Sequence, residues 1–410
     1  MIRLNVDQNE FNKIISQFGE IGRKNGELWR SSYTPEEGDA KKFLRELMKE
    51  NDIVPKEDSV GNLYGFPKTS KISADQKSII IGSHIDTVRN AGILDGALGV
   101  LAGIIAVSSL IKQLGPPRKK LEIVGLIEEE GSRFHSGFLG SRAIVHGLTQ
   151  ADLSEQDCNN ISIAEAMSDS GYDPIKVAEA KRNDIDAYLE MHIEQGPILE
   201  LNQKNIGIVE TITGFMMLNV EIHGEENHAG TTPMEARKDA LVAASEVIRM
   251  IPETVRKISS TARATVGMIR VCPGSTNVVP GKTQFSIDIR DTVENGIEKI
   301  KGEIVALLEK TKSMGFTFSI EEVVFELPIS LDSDLIETLD TVCQQQGVSA
   351  MKMNSGAGHD AQFFAERFPS ALLFIPSQKG ISHSPQEYSN PEDIFLGTRI
   401  LAEMIKKLAW

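Results

Sequence analysis

The chain has 410 residues, 40% hydrophobic and 25% charged, a composition that excludes disorder as the main state and suggests two or three globular domains. Against 43 lysines and arginines stand 58 aspartates and glutamates, a formal net charge of -15, which disfavours nucleic acid as a partner because a phosphate backbone needs a basic footprint. The apolar stretches at 79–81 and 100–107 read as too short or too interrupted to span a bilayer, and the polar opening MIRLNVDQNEFNKII does not read as a signal peptide.

The first 50 residues read as helical. Thr34, Pro35, Glu36 and Glu37 resemble a capping box with proline at the first helical position, and Phe43, Leu44 and Leu47 follow at helical spacing. Residues 78–82 (SIIIG) form the short apolar run of a buried strand. A helix is predicted over 98–114, stopped by Gly115, Pro116 and Pro117. A buried strand follows at 121–127, a helical piece at 139–145 and a third strand at 186–193. Strands separated by helices imply crossover connections and a largely parallel sheet.

The pattern changes after Thr213. Residues 216–223 alternate like a half-buried strand, 239–251 read as a helix, 263–271 and 283–289 alternate again, 296–308 read as a helix and 315–322 as a strand. Strand, helix, two strands, helix, strand is the ferredoxin-like order. After Pro328 the first style returns, with a helix at 333–345, a strand at 371–375 and a helix at 391–407. The expected fold is therefore α/β: a discontinuous domain of 1–213 and 326–410 with a mixed, mostly parallel sheet, and an inserted module of 214–325. The three widely spaced cysteines, Cys158, Cys272 and Cys343, form no disulfide framework, so a reducing cytoplasm is the expected location.

Four segments carry polar groups suited to chemistry. GSHIDTVRNAGILDG (82–96) sets His84 and Asp86 after the apolar strand and Asp95 nine residues later. Imidazole and carboxylate suit a divalent ion, and Asp86 is spaced to hold the other ring nitrogen of His84. EEEGSRF (128–134) puts three glutamates at a strand end, the ligand-binding edge of a parallel sheet. Adjacent carboxylates in one site repel unless a cation neutralises them. LEMHIEQG (189–196) sets His192 in an apolar strand, and GISHSPQE (380–387) sets His383 in a loop. Singly, each segment also reads as a polar turn, a surface histidine or a satisfied core histidine. Together, His84, Asp95, Glu130, His192 and His383 offer five nitrogen and oxygen ligands without sulfur. That set suits a pair of divalent ions with one carboxylate between them, leaving a glutamate over as general base.

These segments, with LDGALGV, LGSRA, HAGTTPM, NVVPG, IDIRDT and GAGHDA, resemble the N-carbamoyl-L-amino-acid hydrolase and allantoate amidohydrolase family, within the clan of di-metal aminoacylases and carboxypeptidases. The match runs from Gly82 to Glu387. The resemblance implies one metal on His84, Asp95 and His192 and another on Asp95, Glu130 and His383, with Asp95 bridging and Glu129 as general base. Zinc, manganese, cobalt or nickel would suit the donors. It implies that His192 marks the amidohydrolase branch, since the exopeptidase branches carry an acidic residue there. Ala91 departs from the glycine frequent in the family. The resemblance also makes the inserted module a dimerisation or lid domain of a homodimer. Gln195, Asn277 and Arg290 would bind substrate, as would the loop of Gly358 and His359. His228 would cross the dimer interface to stabilise an oxyanion, and Arg290 would grip a carboxylate.

The implied activity is hydrolysis of a linear ureido amide in a small carboxylate-bearing molecule. An N-carbamoyl-L-amino acid is the first expectation and allantoate the second. β-Ureidopropionate or an N-acyl amino acid come next, and a non-enzymatic metal-binding scaffold last.

Overall fold

The apolar run at 78–82 becomes the Ser78–His84 strand, buried at every residue. In this computed structural model, which describes residues 2–68 and 76–410, that strand runs parallel to Lys120–Leu126 on one side and to Ile185–Ile193 on the other. Ser370–Ile375 runs parallel beyond Ile185–Ile193. The four form the centre of a nine-stranded sheet. Both their faces are covered, so they read as largely apolar runs. The flanks are antiparallel: Lys120–Leu126 meets the hairpin of Leu63–Pro67 and Ile53–Glu57, and Ser370–Ile375 meets Ile206–Ile212. The sheet is thus mixed, with its parallel pairing concentrated at the centre.

The helix Ala97–Leu114 packs on the Ser78–His84 strand and against the helix Pro391–Ala409. Contrary to the expectation from the apolar runs, it is long and apolar enough to cross a membrane, but 78% of it is buried inside the protein. Covered on both sides, such a helix is apolar all round.

Near the N-terminus two helices, Gln8–Gly19 and Pro35–Glu50, flank a small hairpin of Arg23–Lys24 and Glu27–Leu28. Thr34 caps the second helix by accepting the Glu37 N–H. Glu37 does not complete the box. Its carboxylate accepts the N–H of Tyr33 at 2.9 Å and pairs with the buried Lys41 at 3.1 Å.

The chain divides into two units, Met1–Glu210 with Ser330–Trp410, and Thr211–Ile329. In the second unit the strands lie in the order Arg263–Thr265, Lys282–Asp291, Gly214–His223, Thr317–Glu326, with Ile269–Cys272 also on Lys282–Asp291. All these pairings are antiparallel, the ferredoxin-like arrangement. Burial alternates along Gly214–His223. Leu218, Val220 and Ile222 pack with Val247 and Ile251 of one helix and Ile300 and Ile304 of the other. The strand expected over 263–271 is two short strands, and the helix expected to end at 251 continues through Pro252 to Ile258.

Candidate metal centre

The four parallel strands end at one edge of the sheet, where ligands bind in open α/β folds. His84 closes its strand and His192 is the penultimate residue of Ile185–Ile193. Glu128, Glu129 and Glu130 leave the end of Lys120–Leu126, and the loop after Ser370–Ile375 carries His383. Asp95 comes from the loop leading into the helix Ala97–Leu114. Gly96 turns this loop with φ of 62°, and a Cβ there would overlap the His84 ring.

Asp95 divides its two oxygens. Oδ1 lies 3.5 Å from His84 Nε2 and 3.1 Å from His192 Nε2. Oδ2 lies 3.3 Å from His383 Nε2, which in turn lies 3.3 Å from Glu130 Oε2. Two donors each about 2.0–2.1 Å from a shared tetrahedral ion lie about 3.3 Å apart, so this spacing fits an ion on each side of Asp95. A third grouping joins His84 with Glu129 and Glu130. Glu130 Oε1 and Gln195 Oε1 are buried with no hydrogen-bond partner among the described residues. The donor set, all nitrogen and oxygen, fits a pair of divalent ions.

The ring orientations suit ligation. His84 Nδ1 lies 3.1 Å from the Asp86 carbonyl and His192 Nδ1 lies 2.8 Å from the Ile193 carbonyl. A carbonyl only accepts, so each neutral ring carries its proton on Nδ1 and turns the Nε2 lone pair towards Asp95. The Asp86 carboxylate, expected beside the His84 ring, lies 3.6 Å from Nδ1 and helps, against burial, to raise the pKa of that ring. It also accepts the backbone N–H groups of Glu129 at 3.0 Å and Glu130 at 3.2 Å, and so fixes the glutamate turn.

Without cations the centre retains protons. Burial acts to lower the pKa of His84 and of His192, but the surrounding carboxylates overcome it and hold both above the ordinary value. Hydrogen bonds to Asp95 and Glu130 push His383 to about 10. Burial, opposed by His84 and reinforced by Glu130, Asp360 and Asp86, holds the Glu129 carboxyl well above the usual range. For Asp95, burial is outweighed by hydrogen bonds from His192, His383 and His84, and its pKa falls well below the usual value.

Other expected residues divide between the units. Gln195, with φ of 57°, donates from Nε2 to Asp95 Oδ2 at 2.8 Å. His359 is buried, 3.0 Å from Ser355 Oγ, with its ring edge-on to His192 at 4.6 Å. Burial and then the His192 charge hold its pKa well below the ordinary value. Gly358 leaves room for the Phe138 ring, which a Cβ would meet at 2.8 Å. In the second unit, the ladder of Asn227–His228 on Val278–Val279 brings His228 close to Asn277, whose carbonyl accepts the Ala229 N–H. The exposed His228 accepts the N–H groups of Gly230 at 3.0 Å and Thr231 at 3.2 Å on Nδ1. Its neutral ring therefore carries the proton on Nε2. Arg290 engages Asp288 through Nε and Nη2, each 3.0 Å from a carboxylate oxygen.

Sequence reading missed two buried glutamates. Glu190 accepts the Ser83 hydroxyl at 2.7 Å and the Ala361 N–H at 2.9 Å. Glu387 accepts the N–H groups of Leu94 and Asp95 at 2.9 and 3.1 Å. The available signals were the two-residue spacing of Glu190 from His192, which puts both on one strand face, and the place of Glu387 at the end of the His383 segment.

The profile of Peptidase family M20/M25/M40 matches residues 80–407. The chain belongs to this family. As an M20-family protein it is a metal-dependent hydrolase, and its similarities run along the whole chain. Allantoate amidohydrolase of Bacillus subtilis (strain 168) is 38% identical over 398 residues, covering 97% of this chain and 96% of that protein. N-carbamoyl-L-amino-acid amidohydrolase of Pseudomonas sp. (strain NS671) is 40% identical over 403 residues, covering 96% of each. The crystal structure of an amidase of the hydantoinase/carbamoylase family from Burkholderia multivorans aligns with a TM-score of 0.91 at 29% identity, covering 98% of each chain.

Proposed function

We propose that this protein hydrolyses the linear ureido amide of a small, carboxylate-bearing substrate, first an N-carbamoyl-L-amino acid and second allantoate. The observation that carries the proposal is the divided Asp95 carboxylate, one oxygen towards His84 and His192 and the other towards His383. The similarity to the Pseudomonas N-carbamoyl-L-amino-acid enzyme supports the first substrate, and the similarity to the Bacillus allantoate enzyme supports the second.

In this reading His84, Asp95 and His192 hold one ion and Asp95, Glu130 and His383 the other. Zinc, manganese, cobalt and nickel all suit these ligands. When bound, the ions supply Lewis acidity to the ureido carbonyl and to the attacking water. Glu129 takes the proton of that water and returns it to the leaving nitrogen. One water then converts the ureido group to ammonia, carbon dioxide and the free amine. Arg290, its guanidinium plane fixed by Asp288, receives the substrate carboxylate. Gln195 and Asn277 orient the substrate. The inserted unit assembles a homodimer in which the partner subunit's His228 donates Nε2–H to the developing oxyanion. We place the enzyme in the cytoplasm.

The test is turnover of N-carbamoyl-L-methionine, allantoate, β-ureidopropionate and N-acetyl-L-methionine with zinc, manganese or cobalt. Ammonia release reports the ureido compounds, and free amino acid reports the acetyl compound. The carbamoyl substrate should be fastest. A clear win for allantoate moves the assignment to the second substrate, and a win for the acetyl compound defeats the ureido reading.

A further inference from the structure

Asp95 sits on the loop between the Ser78–His84 strand and the helix Ala97–Leu114, with no strand ladder to fix its backbone. Its carbonyl accepts the local Ala97 N–H at 2.6 Å, while its own N–H is held from the far end of the chain. Glu387 Oε1 accepts the two successive N–H groups of Leu94 and Asp95 at 2.9 and 3.1 Å. Its other oxygen, Oε2, lies 2.9 Å from Ser382 Oγ, and the same Oγ lies 2.9 Å from Asp95 Oδ2. One carboxylate thus holds the backbone of Asp95, and through one hydroxyl it reaches the Asp95 carboxylate on the side that faces His383. Ser382 is also the chain neighbour of His383, so this contact ties the loops that carry two of the ligands. Glu387 is 7% exposed. A Cβ on Gly92 would overlap its Oε1 and Cβ, so the glycine is what lets the carboxylate approach the loop.

We propose that Glu387 is a positioning residue of the metal centre, acting on the Asp95 loop. It sets the height and rotation of Asp95 so that one oxygen faces His84 and His192 and the other faces His383. It touches neither substrate nor ion in this assignment, which rests on the reading of Asp95 as the bridging ligand. Groups that orient metal ligands commonly contribute about 10–100-fold in metal affinity or activity.

The test is calorimetric titration of the metal-free protein with Mn(II), together with kcat and KM. Wild type should take up two ions per chain. Glu387→Ala should weaken manganese binding by about 10–100-fold and lower kcat, with KM little changed because the substrate contacts remain. Glu387→Gln should keep the affinity: its Oε1 can accept both N–H groups while Nε2 donates to Ser382 Oγ and frees the hydroxyl proton for Asp95. Gly92→Ala should reproduce the alanine phenotype with the Glu387 carboxylate still present, because the methyl group takes its space. Native manganese affinity in Glu387→Ala would overturn the proposal. So would equal weakening in Glu387→Gln, which would trace the effect to charge. If Glu387→Ala does not fold, Gly92→Ala and Glu387→Gln decide by the same criteria. Wild type that takes up no ions would defeat the metal-centre reading itself, whatever the variants do.

Discussion

Glu129→Gln removes a charge and leaves the volume unchanged. The side chain is buried, its N–H is held by Asp86 at 3.0 Å, and its Oε2 lies 3.8 Å from His84 Nε2. An amide in that position cannot accept a proton from water. A positioned acid–base group contributes about 10²–10⁴ in rate, so kcat should fall by that factor, about 3–5 kcal/mol in the barrier. KM should change little, and two ions should still bind. Burial raises the Glu129 pKa well above that of an ordinary glutamate. A carboxyl raised in this way stabilises the fold below its unfolded pKa and loses that contribution as pH climbs towards the folded value. Glutamine escapes the loss, so the metal-free variant at pH 8 should melt no lower than wild type. Ammonia-release kinetics, elemental analysis and melting of the chelated protein make the three measurements. A rate within tenfold of wild type would require another base. A drop from two ions to one would make Glu129 a ligand, through its grouping with His84 and Glu130.

Metal uptake should release protons, because His383 in the metal-free centre has a pKa pushed up to about 10 and binds an ion only when deprotonated. Titration at pH 8 in buffers of different ionisation enthalpy should show at least one proton released as both sites fill, and no release would contradict the ligand role. With its pKa raised, His383 stabilises the metal-free fold fully below about 6.5 and loses that contribution as pH rises through about 10. Chelated protein should therefore lose melting temperature over that alkaline window more steeply than loaded protein. Gly96→Ala should abolish high-affinity metal binding, since a methyl group there overlaps the His84 ring on a backbone of positive φ. Native stoichiometry and affinity would show that the loop can yield. Arg290→Lys should raise KM by about 10–100-fold, the equivalent of a charge-assisted contact of roughly 1.5–3 kcal/mol, because an ammonium cannot reproduce the fork. An unchanged KM would remove Arg290 from carboxylate recognition. Mixing inactive His228→Ala and Glu129→Gln proteins should restore part of the activity if sites are shared across a dimer. No recovery from subunits shown to exchange would oppose that assembly.

The central strands were legible because each is buried on both faces, and burial of that kind leaves a mostly apolar run that few loops would carry, broken only at positions such as Glu122, Glu190 and His192. The flanking strands follow different physics. Ile53–Glu57 carries Pro55 in its middle and Leu63–Pro67 carries Gly65, residues that demote a strand when only propensity is available. Among the described residues Ile53–Glu57 pairs only with Leu63–Pro67, and that strand finds its other partner in Lys120–Leu126, about 60 residues further along the chain. In the second unit the helices were visible from periodicity, but their ends were not. The Ala240–Ile258 helix keeps Val255 in the core beyond Pro252, and tertiary packing there outweighs the local signal to stop.

The groupings that could hold ions were legible for a related reason: a divalent ion demands imidazoles and carboxylates at the ends of apolar strands, where the sequence would otherwise have no use for them. The groups that support those ligands make no such demand. The ring of His84 faces the carbonyl of Asp86, a contact any residue type could make. Asp86 and Glu387 act by accepting backbone N–H groups, and such partners leave no mark in the residue types they contact. Glu387 can be connected with Asp95 only once Lys120–Leu126, Ser78–His84, Ile185–Ile193 and Ser370–Ile375 are seen to end on one edge. The sequence therefore exposes the atoms that would touch the ions and hints at Asp86 beside them, while the backbone contacts by which Asp86 and Glu387 fix the spacing of those atoms emerge only from the folded chain.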